Sequence, residues 1–181
     1  QMIQSLDHII VAVSNLDEAE QNYSKLFGKG PVWRGEHKEL GTSNCLFNFE
    51  NTYFELLAAS GDGLGAALVN YYLDQDGEGL IGLVLGCNNI NEIKKSIKDK
   101  GFIIADETSG EGTNFKDQKV RKWKNLFLPP ELTRGLFSFI IEHTFGSLPI
   151  HKDIKDSTPH KLDHLVINTN DAEGFIRVYR D

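Results

Sequence analysis

The chain has 181 residues, 40% of them hydrophobic and 25% charged, with eleven Phe, five Tyr and two Trp and a net charge of −7. That composition buries a core and excludes a disordered chain. The acidic balance opposes a nucleic-acid partner, and the apolar runs fall far short of the ~20 residues of a membrane-spanning helix.

The chain opens with "LDHIIVAVSN", residues 6–15, which alternates like a β-strand and sets His8 on one face with Leu6, Ile10 and Ala12. "SNLDEAEQNYSKLFG" then reads as a helix: Ser14 or Asn15 caps it, Asp17, Glu18 and Glu20 sit in its positive first turn, and Gly28 ends it. Strands are expected around residues 31–34, over "SNCLFNFE" and over "NTYFELLAA", the last two joined by a hairpin at Glu50 and Asn51. The first unit is therefore βαβββ. A Gly-rich connector, residues 61–79, carries one short helix around "ALVNYYL".

The second unit repeats the arrangement. "GLIGLVLGCNNINEIKKSIKDKGF" again gives strand, Asn-rich cap and amphipathic helix, 74 residues on from the first. "KVRKWKNLFL" and "LFSFIIEHTF" follow as strands, with "PPELTRG" between them as a turn. The basic run "KDQKVRKWK", residues 116–124, reads as a solvated loop or strand edge. "LDHLVINTND", residues 162–171, begins the same sentence a third time, placing His164 where His8 stood. Taken as a cut fragment, its last residues, 172–181, are expected to be mobile or supported by a neighbouring chain. The domain division is 1–148, with modules over about 6–60 and 80–146, followed by 149–181 as linker and start of a further module.

An α+β fold follows, in which paired modules curl a mixed sheet around a cleft, so functional side chains come from inward-facing strand positions. His8 is one; Glu55, in line with Tyr53 and Leu57, is a carboxylate inside an apolar strand; Glu142 lies on the closing strand of module two. A buried carboxylate is costly unless paired, neutralised or bound to metal. Gly82 stands where the repeat predicts a second histidine. His8, Glu55 and Glu142 together offer three ligands with an open position, the pattern of a catalytic divalent site for Zn, Mn, Fe, Co or Ni. Each taken alone also has an ordinary structural role. Cys45 and Cys87 lie in separate segments and read as reduced thiols of a cytoplasmic protein. The segment "GEHKELGTSN", residues 35–44, brings His37, Thr42 and Asn44 toward the cleft mouth.

The motifs "LDHIIVAVSNLDEA", "GEHKELGTSNCLFNF" and "NTYFELLA", with "KWKNLFLPPELTRGLFSFIIEH" as a second half, resemble the glyoxalase-like domain family of the vicinal oxygen chelate superfamily. The resemblance implies paired βαβββ modules with metal ligands on first and last strands, carried here by His8, Glu55 and Glu142. Gly82 departs from the four-ligand pattern of glyoxalase I. The leading expectation is a divalent-metal-dependent lyase, isomerase or related enzyme acting on a small oxygenated metabolite. Glu142 or Glu55 would be the general base, and His37, Thr42, Asn44 and Trp123 would bind substrate. The alternative is a non-catalytic module that binds or sequesters a small molecule. A homodimer is compatible with either.

Overall fold

The computed structural model describes residues 2–151 and 158–180. Strand β1 (Ile3–Ala12) leads into helix α1 (Leu16–Phe27), which starts where the Asn15 side chain accepts the Glu18 N–H and stops at Gly28 in the left-handed conformation. Strands β2 (Trp33–His37), β3 (Thr42–Asn48) and β4 (Tyr53–Ala59) complete the first module, and helix α2 (Leu64–Asp76) follows. The second module runs β5 (Gly79–Cys87), α3 (Ile90–Asp99), β6 (Thr108–Thr113), β7 (Val120–Phe127), the short α4 (Pro130–Thr133) and β8 (Phe137–Phe145).

All eight strands form one sheet in the order β2-β3-β4-β1-β5-β8-β7-β6. Reading outward from the centre, each half has the same order, first strand, last, third, second, as the repeat requires. The halves meet along antiparallel β1 and β5, where His8 faces Val84 and Ile10 faces Gly82. Shifting either pair by 74 residues turns it into the other, so the two modules are related by a pseudo-twofold through this seam.

The sheet curls until its edges nearly touch. Phe115 N–H donates to Arg34 O (2.8 Å), and Arg34 N–H donates to the Asn114 side-chain oxygen (3.2 Å), joining the end of β6 to β2. On the outer surface α1 covers Val11, Cys45, Phe47 and Leu56, and α3 covers Leu126 and Ile140. The inner face packs Ile10, Ala12, Leu57, Val84, Trp123, Phe139 and Ile141 around Val69 of α2, so the connector helix lies inside the curl. Cys45 and Cys87 are both free and buried.

Strand β6, "TSGEGT", has no hydrophobic alternation and was not legible as a strand. It pairs with β7, placing Gly110 opposite Trp123. A side chain at Gly110 would run into the Trp123 indole, so the strand is glycine-bearing because a neighbouring ring lies across it.

The expected third strand does not form. Residues 162–167 are neither strand nor helix, and His164 is exposed and bonded to its neighbour Asp163. What holds this segment is side-chain pairing: the Asn51 amide donates to Leu162 O (2.9 Å) and accepts from Leu162 N–H (3.1 Å). Helix α5 (Ala172–Tyr179) follows and packs against α4. Asp171 caps it and pairs with Arg134, and Tyr179 O–H donates to Thr133 O (2.7 Å).

Candidate functional site

Strand alternation divides the inner face into two unlike halves. Module two and α2 fill most of theirs with apolar groups, Arg121 and His143 excepted. Module one turns His37 from β2, Thr42 and Asn44 from β3, Tyr53 and Glu55 from β4, and His8 from β1 into the same interior. His8, Thr42, Asn44 and Glu55 are all buried.

The polar groups orient one another. Asn44 Nδ2 donates to Glu55 Oε2 at 2.8 Å, which turns Oε1 toward His8 Nε2, 3.6 Å away. Behind the imidazole, His8 Nδ1–H donates to Asp7 Oδ2 at 2.7 Å. A register shift in β1 between Leu6 and His8 lets consecutive residues serve this one cluster. The other Asp7 oxygen accepts from His143 Nε2 of β8 at 2.9 Å. Burial alone would raise the Asp7 carboxyl, but the hydrogen bonds and charges of the two histidines outweigh it and hold the group well below the usual carboxylate range. Asp7 is therefore an acceptor, and the free face of His8 is Nε2.

Aromatic rings wall the pair. Tyr53 stacks on the His8 ring at 4.3 Å, and Phe139 meets it edge-on at 6.0 Å. His37 shares Nδ1 with Thr42 Oγ1 at 3.0 Å and meets Trp123 edge-on at 6.1 Å. Burial pushes the His37 imidazole below its ordinary value, and the charge of Arg121 pushes the same way against Glu55. His37 belongs to the interior, not to a surface turn, so its replacement carries a stability cost as well as any effect on binding.

Glu142 does not join them. It shares a strand face with Ile140, which packs under α3, and its Oε2 accepts the Ile90 N–H at 2.9 Å. A carboxylate there satisfies a free donor and complements the positive end of the helix. The register gives the reason for the misplacement. Ile10 pairs with Glu55 in β1–β4, and the equivalent Val84 pairs with Phe139 in β5–β8. Phe139, not Glu142, is the counterpart of Glu55. The counterpart of His8 is Gly82, where an added Cβ would stand 2.6 Å from the Phe137 ring. The two positions that would complete a ligand set thus hold aromatic surface. A catalytic divalent site takes three protein donors, and among the described residues no group of three His, Cys, Asp or Glu is placed to hold an ion. His8 and Glu55 supply two of the three protein donors that such an ion requires.

The basic run is also not simply a solvated edge. Arg121 alternates with Trp123 on the inner face of β7 and is 4% exposed. Its guanidinium lies 4.2 Å from the Trp33 ring and 5.4 Å from that of Trp123. Asp7, Arg121 and His143 were not among the expected site residues. Period-two alternation from Trp123 and Ile141 finds Arg121 and His143, whereas nothing in the sequence marks the bulge that brings in Asp7.

A paired βαβββ sheet curled around inward-facing histidine and glutamate defines the class: the vicinal oxygen chelate fold. The glyoxalase-like domain model matches residues 6–181, and the chain belongs to that family. The matched span runs past residue 148 and through α5. Solved structures of similar fold include methylmalonyl-CoA epimerase of Streptomyces coelicolor in complex with 2-nitronate-propionyl-CoA. It has a TM-score of 0.62 and 21% identity, covering 77% of this chain and 97% of that one. The Mycobacterium tuberculosis methylmalonyl-CoA epimerase gives 0.61 and 19%, covering 78% and 89%. A hypothetical protein of Bacillus halodurans gives 0.64 and 18%, covering 80% and 98%. At these identities the likeness shows the fold. No protein of curated function matches the sequence.

Proposed function

We propose that the chain is an acid–base enzyme of the isomerase or lyase type, acting on a small oxygenated molecule through Glu55 and His8. The observation that carries this reading is the facing pair, His8 Nε2 and Glu55 Oε1 at 3.6 Å, each held from behind, by Asp7 and Asn44 respectively. Groups fixed from behind keep their reactive atoms aimed without rearranging during reaction. A proton taken from carbon by Glu55 can be returned by Glu55 or passed to His8, and walls of Tyr53 and Phe139 keep the exchange away from water. Epimerases of the same fold, solved with methylmalonyl-CoA or a nitronate analogue, favour proton transfer at carbon over other chemistry. No step is assigned to a metal ion, because the donor set offers two ligands where three are needed.

The aromatic and apolar half of the interior favours a second reading, a module that binds such molecules without turning them over. Hydrogen–deuterium exchange separates the two. Carbon acids (malonyl thioesters, α-hydroxyketones, 2-oxoacids) are incubated with the protein in deuterated water and followed by NMR, with chelator and with added Zn, Mn or Co. The proposed function predicts C–H exchange in the presence of chelator that Glu55→Gln reduces by about 10²–10⁴-fold. Exchange that appears only with metal, or that survives Glu55→Gln, overturns it. Binding without exchange assigns the second reading.

A further inference from the structure

Among the described residues, the inner face of β7 carries a buried cation without a counter-ion. Arg121 is 4% exposed, yet it forms no ion pair or hydrogen bond with any other described residue, and its Nε has no hydrogen-bond partner. Its contacts are ring faces, Trp33 at 4.2 Å and Trp123 at 5.4 Å. Cation–π attraction recovers only about 2 kcal/mol when desolvated, whereas leaving a guanidinium buried without an anion costs several. The balance is unfavourable, and this charge is permanent.

The carboxylate to which it could turn is kept elsewhere. Glu55 faces the same interior, and both charges act on His37 and on Tyr53, but no ion pair within 4.0 Å joins Arg121 to Glu55. Glu55 is held instead by Asn44 and turned toward His8. The interior thus presents a cation and a carboxylate held apart, with His37 and Tyr53 sensing both. A second buried atom on this side, Asn44 Oδ1, likewise lacks a partner and accepts hydrogen bonds. A guanidinium braced between two indoles offers its planar fork of N–H donors in one orientation, the geometry that takes a carboxylate by two parallel hydrogen bonds.

Resting on the proposed acid–base reading of Glu55 and His8, we infer that Arg121, clamped by Trp33 and Trp123, is the anchor for a carboxylate of the substrate, which makes that substrate a small carboxylic acid. The anchored group neutralises the buried cation, while the carbon to be deprotonated extends toward Glu55. A substrate lacking the carboxylate leaves Arg121 unpaired and is rejected on that account.

The chain has two tryptophans, Trp33 and Trp123, and both flank Arg121. Intrinsic fluorescence therefore reads this site directly. The purified chain is titrated with sodium malonate, with malonamide as the uncharged control and sodium chloride at matched ionic strength. The expected result is a saturable change with malonate alone, weakened at least ten-fold in Arg121→Gln and partly restored in Arg121→Lys. In parallel, malonate should shift the Arg121 Nε–H resonance of the wild-type protein, a readout that needs no variant to fold. A wild-type response to malonate no larger than that to chloride, or an unmoved Nε–H resonance, overturns the inference. So does equal malonate affinity in a folded Arg121→Gln. The Glu55→Gln variant keeps the two readings apart: it should still bind malonate in an Arg121-dependent way, whether or not it loses proton exchange.

Discussion

The two modules repeat the same strand order and seam register, yet equivalent inner positions beside the seam hold opposite chemistry. At equivalent positions module one has His8 and Glu55, and module two has Gly82 and Phe139. The repeat keeps what the backbone needs, including an Asn-capped helix opening at Asn15 and Asn89. It does not keep the side chains, because an inward position tolerates either a satisfied polar group or a packed ring. The pseudo-symmetric counterpart of the candidate site is core, and the polar groups of module one take their walls from it.

The largest effect should come from the apolar half. Phe139 packs against Phe127 at 5.0 Å and Phe137 at 5.9 Å, so Phe139→Ala should lower unfolding free energy in urea by about 3–5 kcal/mol. A loss below about 1 kcal/mol would mean that this position is an open ligand wall and not core.

Next comes the link between the halves. Asp7→Asn disturbs hydrogen bonds to His8 and His143 at once and should cost about 1.5–3 kcal/mol at neutral pH. Asp7 is held below its ordinary value in the fold, so its contribution is full above about pH 4 and fades as pH falls further toward its folded value. The stability gap between wild type and Asp7→Asn should therefore narrow below pH 4. A constant gap would rule out a charged Asp7 as the link.

A smaller effect is expected where module two departs from the sequence reading. Glu142→Ala removes a carboxylate from the N-terminus of α3 and should cost about 0.5–1 kcal/mol, with no effect on malonate binding. Loss of binding in a stable Glu142→Ala protein would return Glu142 to the interior. Smallest is the pH term of His37. Its imidazole is depressed in the fold, so stability should decline as pH drops below about 6.5, where the unfolded chain binds more protons. That slope, measured by thermal unfolding between pH 7 and 5, should flatten in His37→Gln.

Much of this was legible because local rules governed it. The β1 alternation, the caps of α1 and α3 and the glycine stop at Gly28 are properties of short segments. His8 and Glu55 were placed on strand faces because period two decides the face once one member is known, whereas His37, Thr42 and Asn44, expected on a segment reaching the cleft mouth, lie on β2 and β3. Glu142 went astray because strand length does not fix register: the closing strands align by their partners, and the second module carries extra residues before β8. Strand β6 escaped because its glycines answer to Trp123, a residue of another strand. The third opening failed as a strand although its wording copies β1, because repetition of sequence supplies no pairing partner.

The sequence by itself determined the repeated strand–helix openings, their caps and the strand faces of His8 and Glu55, since alternation and capping act over a few residues. Tertiary structure alone decided that Glu142 caps a helix, that Asp7 joins His8 to His143, and that Arg121 lies buried between two indoles. Those outcomes depend on register, a bulge and the curl of the sheet, which are set by contacts between segments far apart in the chain.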